Sequence, residues 1–223
     1  MAGDVASRLR TDGFAFCPQK LGATEFEAVG SRLGDILAKA SVSLRPDVES
    51  YLCQPERIPF HTDHPDVAIV AWHCIAQDAD DGASLLIDTW PLVRAFEPER
   101  LMALPVDFPA RRGSTSPGRR PLLMQGEARP RVYYAPWNVR LQGLTPSQAA
   151  TAAAWRLAVE VAPVIRRRLE PGQALFIDNA RVLHGRGAVD PRSGRCLRRL
   201  WLGRVSEHPD GHVGENRAGR RRP

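Results

Sequence analysis

Three residues of this chain have the types and positions needed to hold a metal ion. The segment IPFHTDHPD contains His61, Thr62 and Asp63. On an extended strand, side chains two apart point to the same side, so this imidazole and this carboxylate can reach a common point. A third donor is needed, and FIDNARVLHGRG supplies His184, 121 positions beyond Asp63. Two imidazoles and a carboxylate on one face of an octahedral ion leave three positions open, the donor set of a non-haem Fe(II) centre. A bare His-x-Asp pair carries little weight alone, because the two residues meet at that spacing by chance in many proteins. His64 and His73, the neighbouring histidines, read as non-ligands; His73 suits either a core position or a substrate contact.

The elements that would position these donors are mostly short strands. GFAF at 13–16, SVSL at 41–44, Val67 to Ile75, ASLLID at 83–88, PLLM, RVYY, ALFID at 174–178 and LRRLWLGR at 197–204 all read as strands. The stretch TEFEAVGSRLGDILAKA carries Phe26, Val29, Leu33, Ile36 and Leu37 at helical spacing. PLVRAFEPERLMALP reads as one or two short helices, and Tyr51 to Phe60 as a loop feeding a strand. A longer helix begins at Thr145, where Pro146 takes the first position and Thr145 with Gln148 forms a capping box. It runs on through AATAAAWRLAVEVAPVIRRRL, with Pro163 expected to kink or interrupt it. RRGSTSPGRRP at 111–121 is a polar loop suited to a lid. Strands concentrated after residue 60, with a few helices around them, predict a mainly β fold with flanking helices, a jelly-roll β-sandwich.

Four ordered motifs, HTD, DDGAS, LFIDNARVLHGR and RCLRR, resemble the taurine/2-oxoglutarate dioxygenase superfamily, which includes clavaminate synthase-like enzymes, over roughly residues 55 to 205. The resemblance implies a double-stranded β-helix holding Fe(II) on His61, Asp63 and His184, with 2-oxoglutarate and O2 as cosubstrates. It implies that Arg195, eleven residues after His184, grips the far carboxylate of 2-oxoglutarate. Arginine suits that task because its planar fork binds a carboxylate bidentately. Gly82-Ala83-Ser84 stands where the family carries Gly-Asp-Thr, so Ser84 is the implied second contact. Alternate residues of a strand share a face, which sets Arg195, Leu197 and Arg199 inward and Arg198 outward. The family's second arginine engages an anionic group of the substrate, a role that falls here to Arg199. The implied reaction is hydroxylation of an unactivated C–H bond in a small carboxylate-bearing metabolite, such as an amino acid or natural-product intermediate. Desaturation or cyclisation would use the same cofactors. Asp63 supplies the carboxylate that radical halogenases of the superfamily lack. Arg186 reads either as a guide for a carboxylate near the site or as a structural ion pair, and Tyr133 and Trp137 read as core rather than cofactor contacts, in an element that can line a pocket in the resembled family.

The bulk properties narrow the alternatives. A chain of 223 residues with 43% hydrophobic and 25% charged residues is expected to form one domain, 1–206, followed by a disordered tail, 207–223. No long apolar run or signal-peptide pattern is visible, and four cysteines without CxxC spacing suit a reducing compartment, so a cytoplasmic protein is expected. The formal charge of +6 rests almost wholly on arginine, Lys20 and Lys39 being the two lysines. Those arginines are scattered among acids and lack interleaved aromatics, which argues against nucleic acid as a partner. A zinc hydrolase of the HxHxDH type would need histidine where Asp63 stands. A non-catalytic cupin-like binding protein would have no reason to keep all three donors.

Overall fold

The structure is a computed structural model and describes residues 1–204 except positions 46, 49, 79–81, 111–116 and 127–128. The chain opens with α1 (Ala2–Asp12), β1 (Phe14–Cys17), α2 (Ala23–Ser31), β2 (Ile36–Ser43), β3 (Ile58–His61), β4 (Ile69–Ala76) and β5 (Ser84–Asp88). Two short helices follow, α3 (Thr89–Arg94) and α4 (Pro98–Met102), then the small hairpins β6 (Pro105–Phe108) with β7 (Gly118–Pro121) and β8 (Leu123–Met124) with β9 (Arg131–Val132). The last third holds α5 (Pro146–Val161), β10 (Ile165–Arg167), β11 (Ala174–Asp178), β12 (Val182–Arg186) and β13 (Cys196–Leu202).

Two antiparallel sheets carry the fold. One has the order β1-β11-β4-β13-β2, the other β10-β5-β12-β3. Period-two alternation along the strands explains why they stack. Val70, Trp72 and Cys74 of β4 pack with Leu86 of β5 and Val182 of β12 between the sheets. Their alternates, Ala71 of β4 and Phe176 of β11, turn outward onto Val5, Leu9, Phe26 and Val29 of the first two helices. On the far side, Leu85, Ile87 and Leu183 meet Trp155 and Val159 of α5. The result is a helix–sheet–sheet–helix stack, a jelly roll whose inner space is closed on both faces by apolar layers. Each fully buried Leu, Ile or Phe adds about 1.5–3 kcal/mol to that closure. Among the described residues no helix is long and apolar enough to cross a membrane.

Three expectations about elements need correction. The helix expected across 24–40 ends at Ser31, and Ile36–Ser43 is a strand. Helical spacing put Ile36 and Leu37 on one face, whereas in β2 they point to opposite sides, toward the helical cluster and the inter-sheet core respectively. The competitor is β13, which pairs with β2 along its length, while Gly203 N–H donates to Asp35 O at 2.7 Å. Gly34 permits the crossing, because a Cβ there would collide with the carbonyl oxygen of Gly203. The helix from Pro146 has the expected capping box and is interrupted before Pro163 as expected, but it does not resume beyond it: it ends at Val161, since the residue before a proline is pushed out of helical geometry. Ala162 is extended, and Ile165–Arg167 joins β5 as a strand. Within the polar 111–121 loop, Gly118–Pro121 forms β7 against β6; positions 111–116 lie outside the described residues, as does the expected tail at 207–223.

Candidate metal centre

β12 lies between β5 and β3 and sets His184 directly opposite His61 in the antiparallel register. His61 Nδ1 lies 2.8 Å from Pro59 O, a contact that fixes the ring and leaves Nε2 as the donor facing the site. Asp63 was expected on the same strand, but β3 ends at His61 and the carboxylate approaches from the following loop. The cause is side-chain and cross-loop bonding. Thr62 N–H donates to Tyr134 O at 2.7 Å, and Tyr134 N–H donates to Thr62 Oγ1 at 3.0 Å. Asp63 N–H donates to Asn179 Oδ1 at 2.7 Å, while Asn179 Nδ2 donates to Val67 O at 2.9 Å. Asn179 is buried in the β11–β12 turn and so ties the loop of one donor to the strand of another.

The ligand atoms of His61, Asp63 and His184 all lie within 4.8 Å of one another, and the three residues are buried. His61 Nε2 is 3.7 Å from one Asp63 oxygen, and His184 Nε2 is 3.8 Å from the other. Trp201 Nε1 donates to Asp63 Oδ2 at 2.6 Å. Burial by itself would raise the Asp63 carboxyl, but the interaction with His61 and the proximity of His184 and of the Arg199 guanidinium hold it below the usual carboxylate range. Burial, reinforced by the neighbouring His61, pushes the His184 ring down to about 3. At neutral pH the trio is one anionic and one neutral imidazole donor at least, as a divalent cation requires. His184 Nε2 is buried and has no hydrogen-bond partner among the described residues. A buried nitrogen lone pair facing a carboxylate and a second imidazole is accounted for by a cation, so the donor set fits a 2-His-1-carboxylate metal.

The trio borders an inner chamber, and His61 and Asp63 also border an outer one. The inner one is also lined by Trp72, Ser84, Arg186 and Arg195. Arg195 is buried and stands at the start of β13, beside Gly82. Gly82 takes a left-handed φ of 68°, and a Cβ there would approach the Arg195 Cδ to 2.9 Å, so the Gly-Ala-Ser turn leaves room for this arginine. Arg198 lies on the other side of the sheet, where its charge acts on Glu27 of α2. The outer chamber, about 320 Å³, is lined by Tyr51, Tyr133, Trp137 and Trp201. Trp137 is not core: the turn begun by Pro136 leaves it 47% exposed, with its ring 4.9 Å from His61 and 5.1 Å from Tyr51. Tyr133 is buried, its hydroxyl donating to Asp107 O. His73 is a core histidine, stacked on Phe26 and bonded to Leu21 O on the helical side of the sheet. Arg186 donates to the carbonyls of Leu52, Gln54, Glu56 and Gly187, so it clamps the segment before β3. Arg199 shares the inward face with Leu197; its guanidinium rests 4.4 Å from the Trp201 ring centre and 3.9 Å from Asp63 Oδ2.

Sequence reasoning passed over Asn179, Tyr51 and Trp201. Trp201 carried a usable signal, since 197, 199 and 201 alternate along one strand. Asn179 carried a weaker one, a turn-forming residue between a strand and the second histidine. Tyr51 carried none.

A family model described as taurine catabolism dioxygenase TauD, TfdA family matches residues 3–201. Gamma-butyrobetaine dioxygenase of Pseudomonas sp. (strain AK-1) is 29% identical over 171 residues, covering 69% of this chain and 45% of that protein. The chain therefore spans less than half the length of this relative. Asparagine oxygenase superposes with a TM-score of 0.69 at 17% identity, over 92% of this chain and 78% of its own. PvcB from Pseudomonas aeruginosa gives 0.66 at 18%, covering 91% and 80%. A mutant of the non-heme iron oxygenase OrfP, in complex with (3S)-hydroxy-L-Arg, gives 0.72 at 15%, covering 91% and 80%. At these identities the structural likeness establishes the fold.

Two outcomes are expected. Trp201→Phe should weaken Co(II) binding about 10–100-fold, the usual effect of losing a hydrogen bond to a ligating carboxylate, with the circular dichroism spectrum unchanged. The second concerns acid. Because His184 is depressed from 6.5 to about 3, the unfolded chain takes up a proton that the folded chain refuses. Asp63, also depressed, acts in the same direction at lower pH. Stability of the EDTA-treated protein should therefore be full above 6.5 and fall as pH drops toward 3. Thermal melts across that range should show this slope in the parent and a shallower one in His184→Asn.

Proposed function

This chain belongs to the taurine catabolism dioxygenase TauD, TfdA family, and we propose that it is an Fe(II)- and 2-oxoglutarate-dependent hydroxylase of a small, carboxylate-bearing metabolite. The observation that carries this reading is the buried His61–Asp63–His184 trio, its His184 Nε2 without a hydrogen-bond partner among the described residues, bordering the same cavity as Arg195 and Ser84. Residues 1–206 act as the oxygenase unit in this reading, and the tail at 207–223 is dispensable for it. With four free cysteines, three of them buried, the protein suits a reducing cytoplasm.

His61, Asp63 and His184 would hold the iron on one face and leave the remaining positions for cosubstrates. With 2-oxoglutarate, bound iron supplies activation of O2 for attack on an unactivated C–H bond. The chain's own part is binding, orientation and exclusion of water. Arg195 presents a planar fork to the far carboxylate of 2-oxoglutarate, and the Ser84 hydroxyl donates to the same group. Trp72, Val42 and Ile177 wall the inner chamber with apolar surface, which strengthens the charged contacts inside it. Trp201 donates to one oxygen of Asp63 and so would hold the orientation of the carboxylate that binds the metal. The outer chamber receives the substrate against Tyr51 and Trp137. Desaturation or ring closure would use the same arrangement, the product depending on which substrate carbon faces the metal. The relatives' names support an amino-acid-like substrate, since asparagine, arginine and gamma-butyrobetaine all carry a carboxylate.

Arg199 is assigned to the substrate's carboxylate. A second reading is favoured by its 3.9 Å approach to Asp63, in which it braces the metal-binding carboxylate instead.

Anaerobic addition of ferrous iron and 2-oxoglutarate should produce a weak visible charge-transfer band that His184→Ala abolishes; no band in the parent protein would overturn the proposal. Arg195→Ala should cost about 2–5 kcal/mol of 2-oxoglutarate binding, read from the titration of that band, and Arg198→Ala little. For Arg199→Gln, a raised KM for substrate with unchanged 2-oxoglutarate affinity supports the substrate role. Weakened Co(II) binding with unchanged substrate KM supports bracing.

A further inference from the structure

A further cavity, of about 400 Å³, shares none of its lining residues with the two chambers of the metal centre. It opens among the end of α1, the start of α3, residues 126 and 129–130 between β8 and β9, and the β11–β12 turn, and five arginines line it: Arg10, Arg129, Arg131, Arg181 and Arg204. The Arg181 charge is answered internally, since its guanidinium makes a bidentate pair with Asp88 at 3.1 and 2.8 Å. The other four have no carboxylate in ion-pair contact among the described residues. Arg129 donates to Arg10 O at 2.9 Å and Arg131 to Pro65 O at 3.4 Å; both acceptors are neutral carbonyls.

Among the described residues one acid, Asp178, lines the cavity, and its charge acts on Arg129, Arg181 and Arg131. Asp178 is engaged by the Ala180 N–H, and its burial outweighs the arginine field, holding its carboxyl above the usual range. Burial, and then the positive neighbours Arg204 and Arg120, hold the Arg131 guanidinium below its usual range. Like charges that converge in a partly desolvated concavity repel one another unless an anion joins them. Their placement is held by an aromatic scaffold. The Trp90 ring has Arg181 at 3.7 Å and Arg129 at 5.3 Å from its centre, so stacking restricts both guanidinium planes. The Trp90 Nε1–H is buried without an acceptor among the described residues.

We propose that this cavity binds a multiply charged oxyanion, a phosphate group carried by a small molecule or free in solution. A phosphoryl dianion offers three acceptor oxygens and up to two negative charges, matching several arginine forks better than one carboxylate does. The volume is that of a small-molecule site. The site is independent of the iron reading, because none of its residues borders the metal centre.

The test is calorimetric titration of the full chain with inorganic phosphate, pyrophosphate and AMP, at ionic strength matched with chloride. Saturable binding of at least one is expected, weakened tenfold or more in Arg129→Ala/Arg131→Ala. The exposed pair Arg10→Ala/Arg204→Ala, which leaves the stacked core of the site alone, should weaken it several-fold. Co(II) titration of each variant reports whether the fold has survived. Equal affinity for inorganic phosphate and AMP identifies the bare phosphoryl group as the ligand, and tighter AMP binding identifies an organic ester. Absence of binding by all three probes, or unchanged affinity in both variants, overturns the proposal.

Discussion

A carboxylate placed at the centre of a protein must be answered by its surroundings, because an isolated buried charge costs several kcal/mol. Asp63 is that group here, and much of the neighbouring structure is arranged around it. Two imidazoles flank its oxygens, an indole N–H bonds one of them at 2.6 Å, and a guanidinium stands 3.9 Å away. These contacts come from three separate stretches of chain, so the carboxylate is answered only when β3, β12 and β13 are all in place. Stability and site geometry are therefore the same constraint seen twice. The backbone of the Asp63 loop has its own supports, Asn179 and the Thr62–Tyr134 exchange, which place the carboxylate without relying on the strand that carries His61.

The layers outside the site serve the same end. The inter-sheet core ends where Val42, Trp72 and Ile177 border the inner chamber, so the wall of the site is continuous with the packing that stabilises the sandwich. Low polarisability around the donors strengthens every charge interaction among them. It also keeps His184 neutral, the form in which an imidazole can coordinate. Arg186, with its four carbonyl acceptors, shows how a cation can brace this wall: it holds the irregular segment 52–56 against β12.

The abundance of arginine resolves into distinct uses once positions are known. Arg195 faces the inner chamber, Arg199 lies between an indole and a carboxylate, and Arg186 clamps backbone. A further group gathers around Trp90 in a separate cavity. Net charge alone could not tell these roles apart, because a guanidinium is interpretable only from what its five donors meet.

The sequence by itself determined the residue types and the local rules. The HTD and LHGR segments, the arginine eleven positions after His184 and the capping box at Thr145 were all legible, because each depends on near neighbours or on strand alternation. So was the inward face of 197 and 199, which needs only a period of two. Tertiary structure decided what depends on distant partners. Pairing with β13 converted residues 36–40 from an apparent helical face into a strand. Bonds from Tyr134 and Asn179 moved Asp63 off the end of β3 and still delivered its carboxylate to the histidines. Trp137 was turned out to the chamber by a proline turn, and Trp201 was brought from 138 residues away to bond Asp63. Hydrophobic spacing reports which side chains seek burial, but not which surface will bury them, since that surface is built by chain far away in sequence.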